Sequence, residues 1–163
     1  DQAGGFDPIV VRSIVEMRSA LAPDIARLAA TRGGAAVADA LDAIVERMDD
    51  AHGDLPALQR IAMEFWSTLV DGTENVAYRL AYNSLRDAYG KCMDLLTGIL
   101  ADELGDRKSY RAIATAVRRG DARSAERLAR TLTARGERRL LSAVEALASS
   151  QRSAATTSTR TSS

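Results

Sequence analysis

Apolar residues recur three and four positions apart along most of this 163-residue chain, and no segment alternates with the two-residue period of a half-buried strand. Ile9, Ile14, Met17, Leu21, Ile25 and Leu28 form the first such stripe, and Val37, Leu41, Ile44, Val45 and Met48 form the second. Leu58, Ile61, Ala62, Phe65, Trp66 and Leu69 form a third, followed by Val76, Leu80, Leu85 and Tyr89, and then by Leu96, Ile99 and Leu100. Tyr110, Ile113, Ala114 and Val117 precede a long last stripe from Ala125 to Val144. The pattern predicts an all-α protein, a compact antiparallel bundle of six or seven helices, and it excludes barrels, doubly wound sheets and sandwiches, which need strand runs.

Local signals place the boundaries. Asp7-Pro8 reads as a cap followed by a first helical residue, because the carboxylate accepts an early N–H and proline has none to lose. Pro23 lies inside the first stripe and predicts a kink or a break into two pieces, and Gly33-Gly34 ends it. A second helix is expected over residues 36–51, a third from Pro56, a fourth after the turn Asp71-Gly72-Thr73-Glu74-Asn75, and a last one capped by Asp121. Gly136 weakens that last helix without forbidding it. Composition turns Ser/Thr/Ala-rich after residue 148, which predicts one folded domain over residues 7–148 between a flexible stub (1–6) and a disordered tail (149–163).

Charge is balanced overall but not along the chain. Residues 1–106 hold 9 basic and 18 acidic side chains, and residues 107–139 hold 11 basic and 3 acidic. The basic excess can meet a phosphate-bearing ligand, the acidic helices or water. A net charge of zero gives no general attraction to nucleic acid or to an anionic membrane, and no apolar run approaches the length of a membrane span, so the expected location is cytoplasmic. Catalytic chemistry is poorly supplied. The single histidine, His52, cannot build a zinc or iron site, Cys92 reads as a buried small hydrophobe, and adjacent acidic pairs do not share a helix face, so the chain does not read as an enzyme.

Three fragments carry a family resemblance. The first runs through Arg18, Leu21, Ala22, Pro23 and the alanines to Ala30. The second is Phe65-x-x-x-Leu69 followed by Gly72-Thr73-Glu74-Asn75, and the third is Arg111-Ala112-Ile113, Ala116, Gly120-Asp121-Ala122 and Ala125. In this order, over residues 7–147, they resemble the C-terminal effector-binding domain of the FadR-type branch of the GntR transcriptional regulators, with Ala22 where a glutamate is usual. The larger branch of that family holds a divalent metal, and the matching positions here are Ala62, Trp66, Tyr110 and Leu132, none of them a good ligand. The resemblance therefore implies a metal-free apolar cavity and no cofactor. It points to the members that respond to long-chain fatty acyl-coenzyme A, through Asn75, Tyr78, Leu80, Asn83 and Tyr89.

On that resemblance the acyl chain is expected among Phe65, Trp66, Leu69, Tyr78, Leu80 and Leu96, with Asn83 and Tyr89 near the thioester and Tyr110 in the site. Arg86, Arg107, Lys108 and Arg111 are nominated for the phosphate end, since guanidinium forks suit phosphate geometry. Arg18 is the carboxylate partner in an alternative reading, a sensor of another apolar or aromatic carboxylate. A ligand-free helical interaction domain is a third reading. The resemblance also implies a homodimer, and DNA contact only through an N-terminal winged helix-turn-helix domain that lies outside this sequence.

Overall fold

The computed structural model describes residues 7–90 and 93–160, so Cys92, the stub 1–6 and the last three residues of the expected tail lie outside the described residues. Eight helices and no strand are found among the described residues: α1 (Pro8–Arg32), α2 (Gly34–Asp50), α3 (Leu55–Gly72), α4 (Val76–Gly90), α5 (Met93–Ile99), α6 (Ala101–Leu104), α7 (Arg107–Arg118) and α8 (Ala122–Arg160). The all-α expectation holds. The count exceeds the expected six or seven because the segment read as one fifth helix divides at Leu100, whose backbone (φ −88°, ψ 8°) leaves the helical region.

Capping follows the local chemistry. Asp7 accepts from the Ile9 N–H at 2.8 Å, Asp54 from Ala57 at 2.9 Å, Asp106 from Ser109 at 3.2 Å and Asp121 from Ser124 at 3.0 Å. Between α1 and α2 the chain reverses at Gly33-Gly34, where Gly34 takes φ +64°, a left-handed conformation that glycine adopts without a Cβ clash. Pro23 does not divide α1, which runs through it as one helix. Its side chain is buried, and α1 packs along α8 more extensively than any other pair of elements, so tertiary burial outweighs the one hydrogen bond that proline removes. Helix α8 likewise continues past residue 148. No glycine or proline follows Gly136, so the change in composition there brings no change of secondary structure.

One core joins the layers. Val11, Val15, Leu41, Met48, Phe65, Leu69, Tyr110, Ile113 and Leu140 are buried in a single cluster drawn from α1, α2, α3, α7 and α8. Phe65 stands edge-on to Tyr110, with ring centroids 5.0 Å apart, and to Trp66 at 6.0 Å. The basic half of the sequence meets the acidic half inside this one chain. Arg107 and Arg111 of α7 both reach Asp49 of α2, and Arg118 reaches Asp39 and Asp42.

Candidate functional site

Three helices contribute to one cavity in the same register. Helix α1 gives Arg18, Leu21, Ala22 and Ile25; α3 gives Gln59, Ala62, Met63 and Trp66; α4 gives Tyr82, Leu85, Arg86 and Tyr89. Each set falls at i, i+3, i+4 and i+7, the stripe that one face of an α-helix presents. Leu100, at the break between α5 and α6, closes the end. The space is about 70 Å³, partly open to solvent, and its walls are predominantly apolar. That is below the roughly 300–1,000 Å³ of pockets that hold drug-sized ligands, so a long ligand must part side chains to enter.

The polar groups of the wall serve each other first. The Tyr82 hydroxyl donates to the Met63 carbonyl at 2.7 Å, and the Tyr89 hydroxyl to Gln59 Oε1 at 3.4 Å, which ties α4 to α3. Burial pushes the Tyr82 phenol up to about 12 against the opposing charges of Arg86 and Arg79, and it raises Tyr89 further. Arg86 is exposed and forms no ion pair among the described residues, leaving a free guanidinium on the cavity lining.

Arg18 is held differently. Its Nη2 donates to Glu103 Oε1, and the two side chains are only 11% and 3% exposed. Burial alone disfavours the guanidinium charge; Glu103 more than offsets that, so the Arg18 pKa stands above its ordinary value. Burial also raises Tyr110 well above the ordinary phenol range, Glu103 adding to the effect and Arg18 opposing it.

Of the residues nominated from the sequence, Arg18, Trp66, Arg86 and Tyr89 meet at the cavity. Phe65, Leu69, Leu96 and Tyr110 are buried in the core behind it. Tyr78 turns toward α1, where its hydroxyl donates to Asp24, and Asn83 is half-buried outside the lining. Leu80 is 63% exposed, because two residues along a helix rotate the side chain by about 200° from Tyr82. The nominated phosphate cluster is not brought together. Arg107 and Arg111 are committed to Asp49, while Lys108 and Arg111 lie along a shallow groove between α7 and α8. The wall residues not singled out as site residues are Leu21, Ala22, Ile25, Gln59, Met63, Tyr82, Leu85 and Leu100. The i, i+3, i+4, i+7 register repeated on α1, α3 and α4 was the signal that could have found most of them.

At the four positions matched to the family's metal ligands, Ala62 and Trp66 line the cavity while Tyr110 and Leu132 are buried. No group of three potential ligands among the described residues could hold a metal ion. The described residues thus form an all-helical domain with a small apolar cavity between α1, α3 and α4.

Residues 13–135 match the FCD domain. The chain belongs to this family, the effector-binding module of GntR-type transcriptional regulators. It is similar to the HTH-type transcriptional regulator Mce2R of Mycobacterium tuberculosis and to an uncharacterized HTH-type transcriptional regulator of Mycobacterium bovis. In each case identity is 31% over 148 residues, 91% of this chain and 61% of the relative. A further uncharacterized HTH-type regulator of M. tuberculosis is 34% identical over 119 residues, 72% of this chain and 48% of that protein. The chain thus spans between about half and three-fifths of the length of these relatives. No solved structure matches it.

Proposed function

We propose that this domain is the sensor of a transcription regulator, taking a long-chain fatty acyl-coenzyme A into the metal-free cavity between α1, α3 and α4, and that occupancy alters DNA binding by a winged helix-turn-helix partner domain in a homodimer. The observation that carries this reading is the cavity itself: three helical stripes converge on an apolar space whose lining includes the unpaired guanidinium of Arg86. An acyl chain suits the interior, where each buried methylene contributes about 0.8 kcal/mol, and an anionic phosphate end suits Arg86. Met63, Leu21 and Leu85 line the cavity and have to part for the chain to enter, Met63 being the most adaptable of them. A ligand that favours one arrangement of α4 against α1 and α3 shifts the population of that arrangement, which is how a buried ligand can act on a distant domain.

Calorimetric titration with octanoyl-, dodecanoyl-, hexadecanoyl- and octadecanoyl-coenzyme A, the matching free acids and coenzyme A tests this. The long acyl thioesters are expected to bind at one site per chain, with affinity rising with chain length, and Trp66→Arg is expected to weaken them at least tenfold. Binding by coenzyme A alone as tight as by its long acyl thioesters, or no binding by any of them, overturns the reading.

A further inference from the structure

The buried charge at the end of the cavity is balanced from behind. Arg18 lines the cavity from α1, and its counterion, Glu103, comes from the four-residue helix α6, 85 positions away in the chain. Helix α8 closes on the far side of the pair at Gly136. A methyl group there would overlap Glu103 Oε2 and stand 2.6 Å from Leu100 Cδ2, so only glycine lets α8 back the carboxylate this closely. The cluster retains unused hydrogen-bonding capacity: Arg18 Nη1 and Glu103 Oε2 are both buried without a hydrogen-bond partner.

A buried guanidinium with no counterion draws an anion strongly, because leaving the charge uncompensated is the costly state. With Glu103 seated on it, an incoming carboxylate would give up its hydration only to meet a like charge on the same guanidinium. A hydrocarbon end entering beside Arg18 incurs neither cost. We propose that Glu103 is a resident carboxylate occupying the guanidinium a small acid would otherwise seek, so that the cavity rejects short carboxylates and admits anionic amphiphiles apolar end first, their charge left at Arg86. The proposal rests on the cavity being the effector site. It names Glu103 as the residue that decides the ligand class and Gly136 as the position that holds it there.

Hexanoate is the probe, titrated calorimetrically against the wild-type chain and against Glu103→Gln, Gly136→Ala and the double variant Arg18→Met/Glu103→Leu, with melting midpoints followed alongside. Glu103→Gln is expected to bind hexanoate at least tenfold more tightly than wild type, and hexanoate is expected to raise its melting midpoint and not that of wild type. The double variant, with no guanidinium to satisfy, is expected to bind no better than wild type. A gain below tenfold in Glu103→Gln, or an equal gain in the double variant, overturns the proposal. Should Glu103→Gln fail to fold, Gly136→Ala decides. Its methyl group displaces the carboxylate, and a gain of threefold or more is expected, anything less counting against. Failure of long-chain acyl-coenzyme A to bind wild type would overturn the function proposed above and leave standing only the exclusion of short carboxylates by Glu103, since exchange at Arg18 needs no thioester.

Discussion

Arginine meets carboxylate in two regions of this bundle, with opposite consequences. At the seam between α2 and α7, Arg118 reaches Asp39 and Asp42 with all three side chains 43% or more exposed. Where α1 meets α6, Arg18 and Glu103 make the same kind of contact almost wholly out of water. At the seam each ion keeps much of its hydration, salt screens the attraction, and losing one partner costs little. Inside, each ion has surrendered its hydration to the other, so neither can be removed alone. The same chemistry thus acts as surface complementarity in one place and as a fixed component of the cavity wall in the other.

The largest expected effect breaks the inner pair. Arg18→Ala leaves a buried carboxylate without its counterion and is expected to cost about 3–5 kcal/mol in urea denaturation. The double variant Arg18→Met/Glu103→Leu is expected to recover most of that loss, because apolar side chains of similar volume replace a pair that was expensive to desolvate. A double variant as unstable as Arg18→Ala would show that the pair's geometry, not its charge balance, holds α6 in place.

A smaller effect should appear at alkaline pH. The Tyr82 phenol titrates near 10 in an unfolded chain and at about 12 in the folded one, so the folded state holds its proton more tightly. Its contribution to stability is therefore complete below pH 10 and is lost as pH rises from about 10 to 12. Urea midpoints measured at pH 9, 10 and 11 should fall across that window. Tyr82→Phe should flatten the fall only in part, since burial raises Tyr89 and Tyr110 in the same direction.

The smallest effect is expected at the seam. Arg118→Ala should leave the denaturation midpoint unchanged within error at physiological ionic strength, and any difference at low salt should vanish as salt is added. A salt-independent loss would place this contact with the inner pair and remove the contrast.

The helices themselves were legible because their signals are local. Asp7 and Asp121 act on N–H groups two or three residues away, and each caps its helix as the sequence implies. The departures arise where packing overrides a local preference. Pro23 is carried through α1, and Leu100 interrupts a stretch that reads as one helix while it closes the cavity. For the site, Trp66 and Tyr89 could be nominated because a family pattern and a helical stripe agree on them. Leu80 shared the pattern and lost its place to helix rotation. The basic cluster of α7 was legible as charge but not as destination, since Asp49 lies about sixty residues earlier in the chain.

By itself the sequence determined the class of fold and the caps at Asp7 and Asp121, which depend on residue type and near-neighbour spacing. Only the tertiary structure decided that α1, α3 and α4 turn their stripes toward one cavity, that Arg18 is neutralised by Glu103, and that Gly136 is required by close approach and is not a weak point in α8. Periodicity states which face of a helix is apolar, whereas the partner of the buried Arg18 charge is chosen by packing between elements about half the chain apart.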